Sequence, residues 1–252
     1  MRVVSHTCSN TEIVCALGCA DVLVGVDQDS DFPPAVVDRL PKLGRDLSLD
    51  VARVRALKPD LVLTSLTLPG HEKIVDELRA EGLPTIVCEP LRMNDVYSDI
   101  HRIAEALGVP ERGRRLADEL RAAMPPIAAR PGAPRILVEW WPKPVIAPTR
   151  DSWASELIEL AGGVNPWGGD AGKSRPLTDD EVRAAAPDVI VMAWCGVPFE
   201  NYRAEIVSRR AGWADVPAVR DGRIHAVTEA WLGRPGPRLA DGYRALRELV
   251  GG

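Results

Sequence analysis

Short apolar runs rich in β-branched residues alternate with segments of helical period along almost the whole chain. This alternation is typical of α/β units, in which parallel strands are buried on both faces by helices. The predicted strands of the first half lie at 2–6, 23–26, 60–65 and 84–89. Those of the second half lie at 134–141, 145–149, 188–194 and 222–229. The pattern therefore predicts two sets of buried parallel strands, one in each half.

One short segment recurs in both halves. Residues 55–63 and 183–191 align without a gap, and each contains a helix end, a Pro-Asp pair and an apolar run. A proline disfavours helical backbone in the residue before it, so both helices are predicted to stop there. Each segment also precedes a strand that starts after a glycine. This order predicts two similar lobes, which we assign to residues 1–108 and 132–252.

The chain between the predicted lobes, residues 109–131, is expected to form a single linking helix. Leu116, Leu120 and Met124 recur at helical spacing, and a Pro-Pro pair at 125–126 ends the helix. A helical connection limits hinge motion more than a Gly/Ser linker does. The predicted fold class is therefore α/β, with two similar lobes that contain parallel sheets and are joined by one backbone helix.

The composition is that of an ordinary soluble globular protein, with 46% hydrophobic and 27% charged residues. The formal net charge of −5 gives no reason to expect a nucleic-acid partner. No apolar run approaches the roughly 20 residues of a membrane-spanning helix. The chain starts with a strand-like segment rather than a secretory signal, so a cytoplasmic location stays open. The 5 cysteines, an odd number without framework spacing, favour reduced thiols.

The familiar motifs of catalysis and phosphate binding do not occur in the sequence. The four histidines have no local catalytic context, and we expect them on the surface or as hydrogen-bonded core residues. Asp27, Asp29 and Asp31 alternate as in a calcium loop, but Phe32 and Asp38 stand where that loop needs Gly and Glu. A solvated acidic loop is therefore expected.

The stretch SHTCSNTEIVCALGC, residues 5–19, follows the first predicted strand. Ser9 and Glu12 have the spacing of a capping box, which predicts a helix with Ser9 as its N-cap. Gly18 is placed to end that helix. Cys15 and Cys19 are expected to be small buried residues, because free cysteine is among the most buried residue types.

Another group of thiols lies at the ends of predicted strands. His6 and Cys8 follow the first strand, and Cys88 and Cys195 each follow a strand in one half. Ligands of parallel α/β proteins bind outside the carboxyl ends of the strands, so these residues are expected to line a ligand cleft between the lobes. The spacing lacks a zinc signature, which favours an organic or metal-chelate ligand over direct metal binding. A cytoplasmic metal-trafficking protein or enzyme that uses this thiol-lined cleft is the alternative of another class.

All 7 tryptophans lie in the second half. Trp140, Trp141, Trp194 and Trp231 follow predicted strands, where a large flat ligand could stack on them. Neighbouring residues of an extended chain point to opposite sides, so one of Trp140 and Trp141 is expected to face the cleft. The other tryptophans are expected in the core: Trp153, Trp167 and Trp213.

Arginines in loops of the second half are candidates for binding acidic groups. Arg150, Arg175 and Arg234 could each meet a carboxylate or phosphate with two parallel hydrogen bonds. The alternative for each is a solvated surface arginine, since charged side chains are mostly exposed.

Three segments in combination resemble a known family: SNTE at 9–12, PAVRDGR at 217–223 and RPGPR at 234–238. With the two-lobe pattern, they make nearly the whole chain similar to the helical-backbone substrate-binding proteins of ABC importers. The resemblance is greatest to the cobalamin-binding branch, which is related to binders of ferric siderophores and haem.

The resemblance implies a non-enzymatic, extracytoplasmic protein without an intrinsic cofactor. It would hold a large ligand, cobalamin or another metal chelate, between two lobes and deliver it to an ABC permease dimer. Glu72 and Glu181 match the glutamates that dock on the permease. A haem or ferric-siderophore ligand is the near alternative, which clustered arginines or an axial His6 or Cys8 would favour. The residues expected to bind the ligand are Cys8, Ser65, Glu89, Trp140, Trp141, Arg175, Trp194, Cys195, Trp231 and Arg234.

Overall fold

A computed structural model describes residues 1–251. Its strands are β1 (Val3–Ser5), β2 (Leu23–Val26), β3 (Gly44–Arg45), β4 (Ser48–Leu49), β5 (Leu61–Ser65), β6 (Thr85–Cys88), β7 (Ile136–Glu139), β8 (Trp141–Pro142), β9 (Val145–Pro148), β10 (Ser174–Leu177), β11 (Val189–Met192) and β12 (Ile224–Ala226). Its α-helices are α1 (Cys8–Ala16), α2 (Pro34–Val37), α3 (Val51–Ala56), α4 (His71–Ala80), α5 (Met93–Ala106), α6 (Pro110–Ala123), α7 (Trp153–Leu160), α8 (Asp179–Ala185), α9 (Ala204–Ser208), α10 (Pro217–Arg220), α11 (Glu229–Leu232) and α12 (Leu239–Gly251). Short 3-10 helices cover Ala20–Val22 and Phe199–Asn201.

The first compact unit comprises Met1–Pro90 and Asn94–Leu120. Its main sheet has the order β2-β1-β5-β6, and all neighbouring strands are parallel. The strands predicted for the first half are therefore confirmed. Apolar side chains of the sheet, including Val4 and Val62, pack against Ile74 and Leu78 of α4 in the core. The prediction missed the short antiparallel hairpin β3-β4.

The second unit comprises Leu91–Met93 and the chain from Arg121 onward. Its parallel sheet has the order β12-β11-β7, as the sequence predicts for these strands. The assignment of 145–149 to the same parallel set is wrong, because β9 pairs antiparallel with β8 and β10 in a separate sheet. Only Lys143 and Pro144 separate β8 from β9, and so short a connection can join only antiparallel strands.

The core of the second unit contains the tryptophans that were expected there. Trp153, Trp167 and Trp213 are all buried, which confirms the prediction. Trp167 and Trp213 belong to one core cluster, whose other apolar residues come from both sheets of this unit and from its helices. In the part of the chain that is described, no helix is both long and apolar enough to cross a bilayer.

The chain passes from the first unit to the second within α6, between Leu120 and Arg121. The helix covers Pro110–Ala123 and ends just before the Pro-Pro pair at 125–126, as expected. Leu120 is buried on the inner face of this helix. The linking function of residues 109–131 stays a prediction.

The segment that recurs in both halves has the same backbone in the two units. Lys58 follows α3 with φ 47°, and Ala186 follows α8 with φ 45°. Both residues stand directly before a proline, Pro59 or Pro187, which disfavours right-handed helical backbone at these positions. Side chains other than glycine seldom adopt positive φ, so the same deviation at aligned positions supports the predicted similarity.

The aspartate of each Pro-Asp pair binds the residue before the first strand of its unit. Asp60 Oδ2 accepts the Arg2 N–H at 2.6 Å, and Asp188 Oδ2 accepts the Arg135 N–H at 2.8 Å. The two arginine side chains also donate to a carbonyl at the C-terminal end of α3 or α8, at 2.9 Å and 3.0 Å. We call this arrangement, Arg2 with Asp60 and Arg135 with Asp188, the arginine–aspartate clasp.

Candidate functional site

The turn after β1 differs from the prediction. Helix α1 begins at Cys8, and its N-cap is Thr7 with φ 80° and no side-chain capping bond, so the capping box with Ser9 as N-cap is wrong. The short polar side chains here face inward instead: Asn10 Nδ2 donates to the His6 carbonyl at 3.0 Å. Their hydrogen bonds hold the helix against β1 instead of capping it.

His6 is a hydrogen-bonded core residue, which fits the general expectation for the histidines and corrects the expectation that His6 lines a ligand cleft. It is completely buried, with Nδ1 2.8 Å from Thr64 Oγ1 and Nε2 2.7 Å from the Asp46 carbonyl. A carbonyl only accepts, so Nε2 carries the proton and Nδ1 accepts from the threonine hydroxyl. Burial lowers the pKa of His6. The imidazole is therefore neutral, and both of its nitrogens are already engaged.

The acidic loop after β2 is not solvated throughout, which corrects the expectation for Asp27. This carboxylate is completely buried and accepts the Asp29 and Ser30 N–H groups, both at 2.9 Å, and the Ser30 hydroxyl at 2.6 Å. Burial raises the pKa of Asp27. The residue folds the loop back on itself in an Asx turn, a role that the alternating aspartates did not reveal.

The thiols at the strand ends are held inside the units. Cys8 Sγ donates to the Asp29 carbonyl at 3.0 Å, Cys88 is 3% exposed, and Cys195 is partly buried. Burial raises the pKa of the Cys88 and Cys195 thiols, which are therefore protonated at neutral pH and poor metal ligands. Residues 1–251 contain no group of three or more His, Cys, Asp or Glu side chains arranged to hold a metal ion.

The carboxyl ends of β5 and β6 carry small polar and aliphatic side chains. Ser65 is 1% exposed and bonds the Thr67 hydroxyl at 3.0 Å, whereas Glu89 is exposed. Leu47 of the β3–β4 hairpin and Leu68 after β5 are exposed apolar residues. That Ser65 and Glu89 bind ligand stays a prediction.

The carboxyl end of β7 carries the adjacent tryptophans on opposite sides. Trp140 is 8% exposed and packs against Trp153, with ring centroids 5.6 Å apart. Trp141 is 41% exposed, and its Nε1 donates to the Lys143 carbonyl at 3.0 Å. Only the Trp141 ring is thus widely accessible for stacking.

Trp194 is part of the core of the second unit. It is 2% exposed, its Nε1 donates to Glu139 Oε2 at 3.1 Å, and its carbonyl accepts the Tyr202 hydroxyl at 2.8 Å. A ring enclosed in this way has no open face for a ligand, which corrects the expectation that a ligand stacks on Trp194.

Glu139, at the end of β7, forms a buried ion pair that the sequence analysis missed. The glutamate is completely buried, and Arg210 binds both of its carboxylate oxygens while also donating to the Pro142 carbonyl at 3.1 Å. Burial raises the pKa of Glu139, and the bonds from Arg210 oppose that rise. A glutamate between an apolar run and two tryptophans was the signal in the sequence.

Cys195 and Trp140 are neighbours at the carboxyl ends of β11 and β7. The Cys195 N–H donates to the Trp140 carbonyl at 2.9 Å. Lys173, just before β10, places its ammonium 4.6 Å from the centre of the Trp153 ring. Trp153 in turn donates its Nε1–H to the Leu232 carbonyl at 2.9 Å. Two aromatic rings, a thiol and a cation therefore share one region of the second unit.

Trp231 and Arg234 lie in and after α11, beside the same region. Trp231 is half-buried, and Arg234 Nε is 3.1 Å from Glu229 Oε2. The Arg234 side chain is 13% exposed, so its ion pair with Glu229 is mostly buried and is weakened little by salt. The structure thus brings together Trp140 and Cys195, two of the residues predicted to bind ligand, and the charge of Arg234, a third, acts on the Cys195 thiol.

Arg175 is engaged by carboxylates of its own unit. Its guanidinium lies 2.8 Å from Asp170 Oδ2 and 2.8 Å from Glu181 Oε1. Glu181 closes a capping box with Thr178 at the start of α8. Hydrogen bonds from the Thr178 N–H and hydroxyl lower the pKa of Glu181.

Glu72, the other predicted docking residue, is exposed at the start of α4. Its Oε2 accepts the Gly70 N–H at 2.8 Å. Backbone N–H groups at this helix end lower the pKa of Glu72. Glu72 and Glu181 are therefore both ionised carboxylates at the first turn of a helix.

Comparison with known proteins gives consistent matches. The family model described as "Periplasmic binding protein" matches residues 3–230. An uncharacterized ABC transporter substrate-binding lipoprotein of Bacillus subtilis is 28% identical, over 99% of this chain and 79% of its own length. A vitamin B12-binding protein of Yersinia pestis is 26% identical, over 94% of this chain and 82% of its own. The apo structure of the periplasmic heme-binding protein RhuT from Roseiflexus sp. RS-1 superposes with a TM-score of 0.81 at 28% identity, covering 99% of this chain and 98% of that one.

Proposed function

Because the chain belongs to the periplasmic binding protein family, in the helical-backbone class of ABC importer substrate-binding proteins, we propose that it delivers a corrinoid to a permease. The relatives are binding proteins of transport systems and not enzymes. Their names also support a location outside the cytoplasm, whereas the cytoplasmic alternative has no support among them.

We choose a corrinoid over haem because the side chains that could bind haem iron are already engaged or buried. Haem offers its iron to an axial ligand from the protein, most often His, Cys, Met or Tyr. Here both nitrogens of His6 are engaged, and the Cys8 thiol donates to the Asp29 carbonyl. The Cys88 thiol is buried, and Tyr202 and Tyr243 use their hydroxyls on backbone carbonyls. A cobalamin brings its own axial ligands, so binding needs only stacking and hydrogen bonds.

The proposed contacts lie at the carboxyl ends of the strands in each unit. The exposed ring of Trp141 offers a stacking surface, and Trp231 and Arg234 lie beside the Trp140 region. In the first unit the proposed contacts are Cys8, Glu89 and Ser65; since Ser65 is 1% exposed and bonded to Thr67, its contact with ligand requires that this bond rearranges. Arg175 is bound to Asp170 and Glu181, so its proposed contact with ligand requires that these pairs rearrange.

For permease docking we propose Glu72 and Glu181. Both are ionised residues at the N-terminal turn of a helix, as an electrostatic contact with basic residues of a permease dimer would require. Glu181 differs from Glu72 because Arg175 already neutralises it. The docking contact at Glu181 is therefore expected to be the weaker one.

Calorimetry on the purified protein tests the ligand. Cyanocobalamin, hemin and a ferric hydroxamate siderophore are titrated in parallel, and saturable one-to-one binding is expected for cyanocobalamin alone. Stimulation of the ATPase of a reconstituted cognate importer then tests docking, with Glu72→Ala, Glu181→Ala and the neighbouring Lys73→Met as control. If hemin binds tightly and cyanocobalamin does not bind, the corrinoid assignment is overturned.

Haem is the second candidate. The specific observation in its favour is the likeness to RhuT, whose title names heme, at 28% identity over 99% of the chain. If haem is the ligand, Cys8 is the thiol with the most solvent access at a strand end of the first unit that could approach iron. The Soret band of the bound haem would then change on substitution of Cys8 by Ser.

A further inference from the structure

The backbone on both sides of the exposed Trp141 ring is held by hydrogen bonds from other parts of the second unit. The carbonyl before it, that of Trp140, accepts the Cys195 N–H at 2.9 Å. The carbonyl after it, that of Pro142, accepts a bond from Arg210 Nη2 at 3.1 Å. The first of these contacts is made by backbone, whereas the second is made by a side chain that a substitution can remove.

The sheet itself gives Trp141 little support. Strand β8 has 2 residues and lies at the edge of its sheet, where it pairs with β9. A short edge strand makes few ladder hydrogen bonds, and Pro142 has no N–H to add to them. The orientation of Trp141 therefore depends on contacts from outside the sheet, among them the bond from Arg210.

The Arg210 guanidinium is itself fixed on its other sides. It binds both carboxylate oxygens of Glu139, and its central carbon lies 4.6 Å from the centre of the Trp213 ring. That ring is anchored in turn, because Trp213 Nε1 donates to Asp179 Oδ1 at 2.8 Å. The planar fork of arginine can bind a carboxylate and a carbonyl at once while it stacks on a ring. Arg210 thus connects β8 to the core of the second unit.

Stability alone gives no reason for an ion pair at this position. Glu139 is completely buried, and the Arg210 side chain is 14% exposed. The desolvation of two charges is so costly that apolar residues of similar volume are often at least as stabilising. The pair does what apolar side chains could not do, since it supplies a donor to the carbonyl next to Trp141.

From these contacts we propose that Arg210 is a positioning residue, which fixes the Trp141 ring for stacking on the bound ligand by holding the Pro142 carbonyl. Glu139 is the counter-ion that keeps the guanidinium in place. Arg210 acts through Trp141 and needs no contact of its own with the ligand, a large flat chelate. The assignment rests on the proposed function, in which Trp141 offers the stacking surface.

The test removes both charges at once, by Glu139→Gln together with Arg210→Met, which we call the neutral variant. Glutamine keeps an acceptor for Trp194 Nε1–H, and no unpaired charge stays buried, so the large loss of stability expected for Arg210→Met alone is avoided. The same two substitutions are also made in Trp141→Phe. The exposed neighbour supplies the control, Arg209→Met. Thermal unfolding checks that each protein is folded, and Arg210→Lys replaces the neutral variant if that one is not.

Calorimetry with cyanocobalamin, and with hemin in parallel, compares these proteins with the wild type. We expect the neutral variant to bind about five-fold more weakly, the size of one hydrogen bond. In the Trp141→Phe background the same substitutions should have no further effect on affinity, because Arg210 acts through the ring that is missing there. Arg209→Met should bind like the wild type.

Quenching of tryptophan emission by acrylamide tests the positioning role without any ligand. The difference between a protein and its Trp141→Phe counterpart isolates the emission of Trp141, which is 41% exposed. In the neutral variant this emission should shift to longer wavelength and be quenched more strongly, since the released ring is more open to water. If the neutral variant leaves both properties unchanged, the positioning role is refuted.

The binding results separate failure of the positioning role from failure of the proposed function. If the neutral variant binds like the wild type, the positioning role is refuted while the transport function stands. The same holds if the neutral substitutions weaken binding equally with and without Trp141, because their effect then does not pass through that ring. If neither ligand binds the wild type, the proposed function fails, and the acrylamide measurement alone decides the positioning role.

Discussion

In the first unit Asp60 accepts the Arg2 N–H, and in the second unit Asp188 accepts the Arg135 N–H at the aligned position. The arginine–aspartate clasp thus closes the amino ends of both parallel sheets in the same way. The carboxyl ends of the sheets have no such similarity. The first unit ends in small polar and aliphatic side chains, and the second ends in tryptophans with a buried ion pair.

The difference shows that the amino ends and the carboxyl ends of the sheets are encoded separately. The clasp depends on backbone geometry, which a Pro-Asp pair and one arginine determine, and it occurs in both units. The carboxyl ends are free to diverge because loops, not strand pairing, supply their side chains. Ligand specificity is therefore expected to depend mainly on the second unit.

The largest predicted loss of stability follows from removing the arginine that pairs with a buried carboxylate. Arg210→Met leaves Glu139 completely buried without its cation, and we expect it to lower the free energy of unfolding by about 3–5 kcal/mol. In the first unit the Arg102 side chain that binds Asp99 is 50% exposed, so Arg102→Met should cost only about 1 kcal/mol. Urea unfolding of both variants measures the difference. Equal losses would contradict the claim that the second unit depends on its buried pair.

The next effect concerns Asp99 and pH. Burial raises the pKa of Asp99 to about 6. The folded state therefore holds this proton at pH values where the unfolded chain has lost it, so the contribution to stability falls as pH rises from the ordinary aspartate pKa to about 6. We expect a loss of about 3 kcal/mol over that window, since one pKa unit corresponds to about 1.4 kcal/mol. Asp99→Asn should remove this dependence. If the free energy of unfolding changes equally with pH for the wild type and Asp99→Asn between pH 4 and 7, the raised pKa of Asp99 is refuted.

The smallest predicted loss of stability follows from substituting the aspartates of the arginine–aspartate clasp. Asp188→Asn and Asp60→Asn should each cost about 1 kcal/mol or less, because both carboxylates are partly exposed. Burial alone would raise the pKa of Asp188, but hydrogen bonds from Arg135 outweigh it and lower the pKa. The stability due to Asp188 is thus present at neutral pH and is lost in acid. Chemical unfolding at neutral and acidic pH should show Asp188→Asn and the wild type converging only in acid.

The repeated parts of the fold could be predicted from the sequence because local signals determine them. The Pro-Asp pairs end α3 and α8 through backbone sterics, and buried parallel strands appear as β-branched runs. Position 145–149 was misassigned because an apolar run reports burial and not the direction of pairing. The capping box at Ser9 was misassigned because the same side chains bind β1 in tertiary contacts.

The candidate site could be predicted only in part. Strand ends identified Trp140, Trp141 and Cys195, since position after a strand is readable from the sequence. Lys173 and Arg210 come from loops distant in the chain, and no local pattern shows that they reach Trp153 and Glu139. Burial of Trp194 likewise depends on packing that periodicity does not reveal.

Tryptophan fluorescence tests the central claim most directly, because all 7 tryptophans lie between 140 and 231, in the second unit. Titration with cyanocobalamin, corrected for absorption by the ligand, is predicted to quench the emission saturably at one equivalent. In Trp141→Phe, which loses the exposed indole, the quenching should be reduced and the affinity weakened. Saturable quenching that Trp141→Phe leaves unchanged would contradict the stacking surface at the end of β7. An emission that does not respond to cyanocobalamin at all would contradict the assignment of a corrinoid ligand.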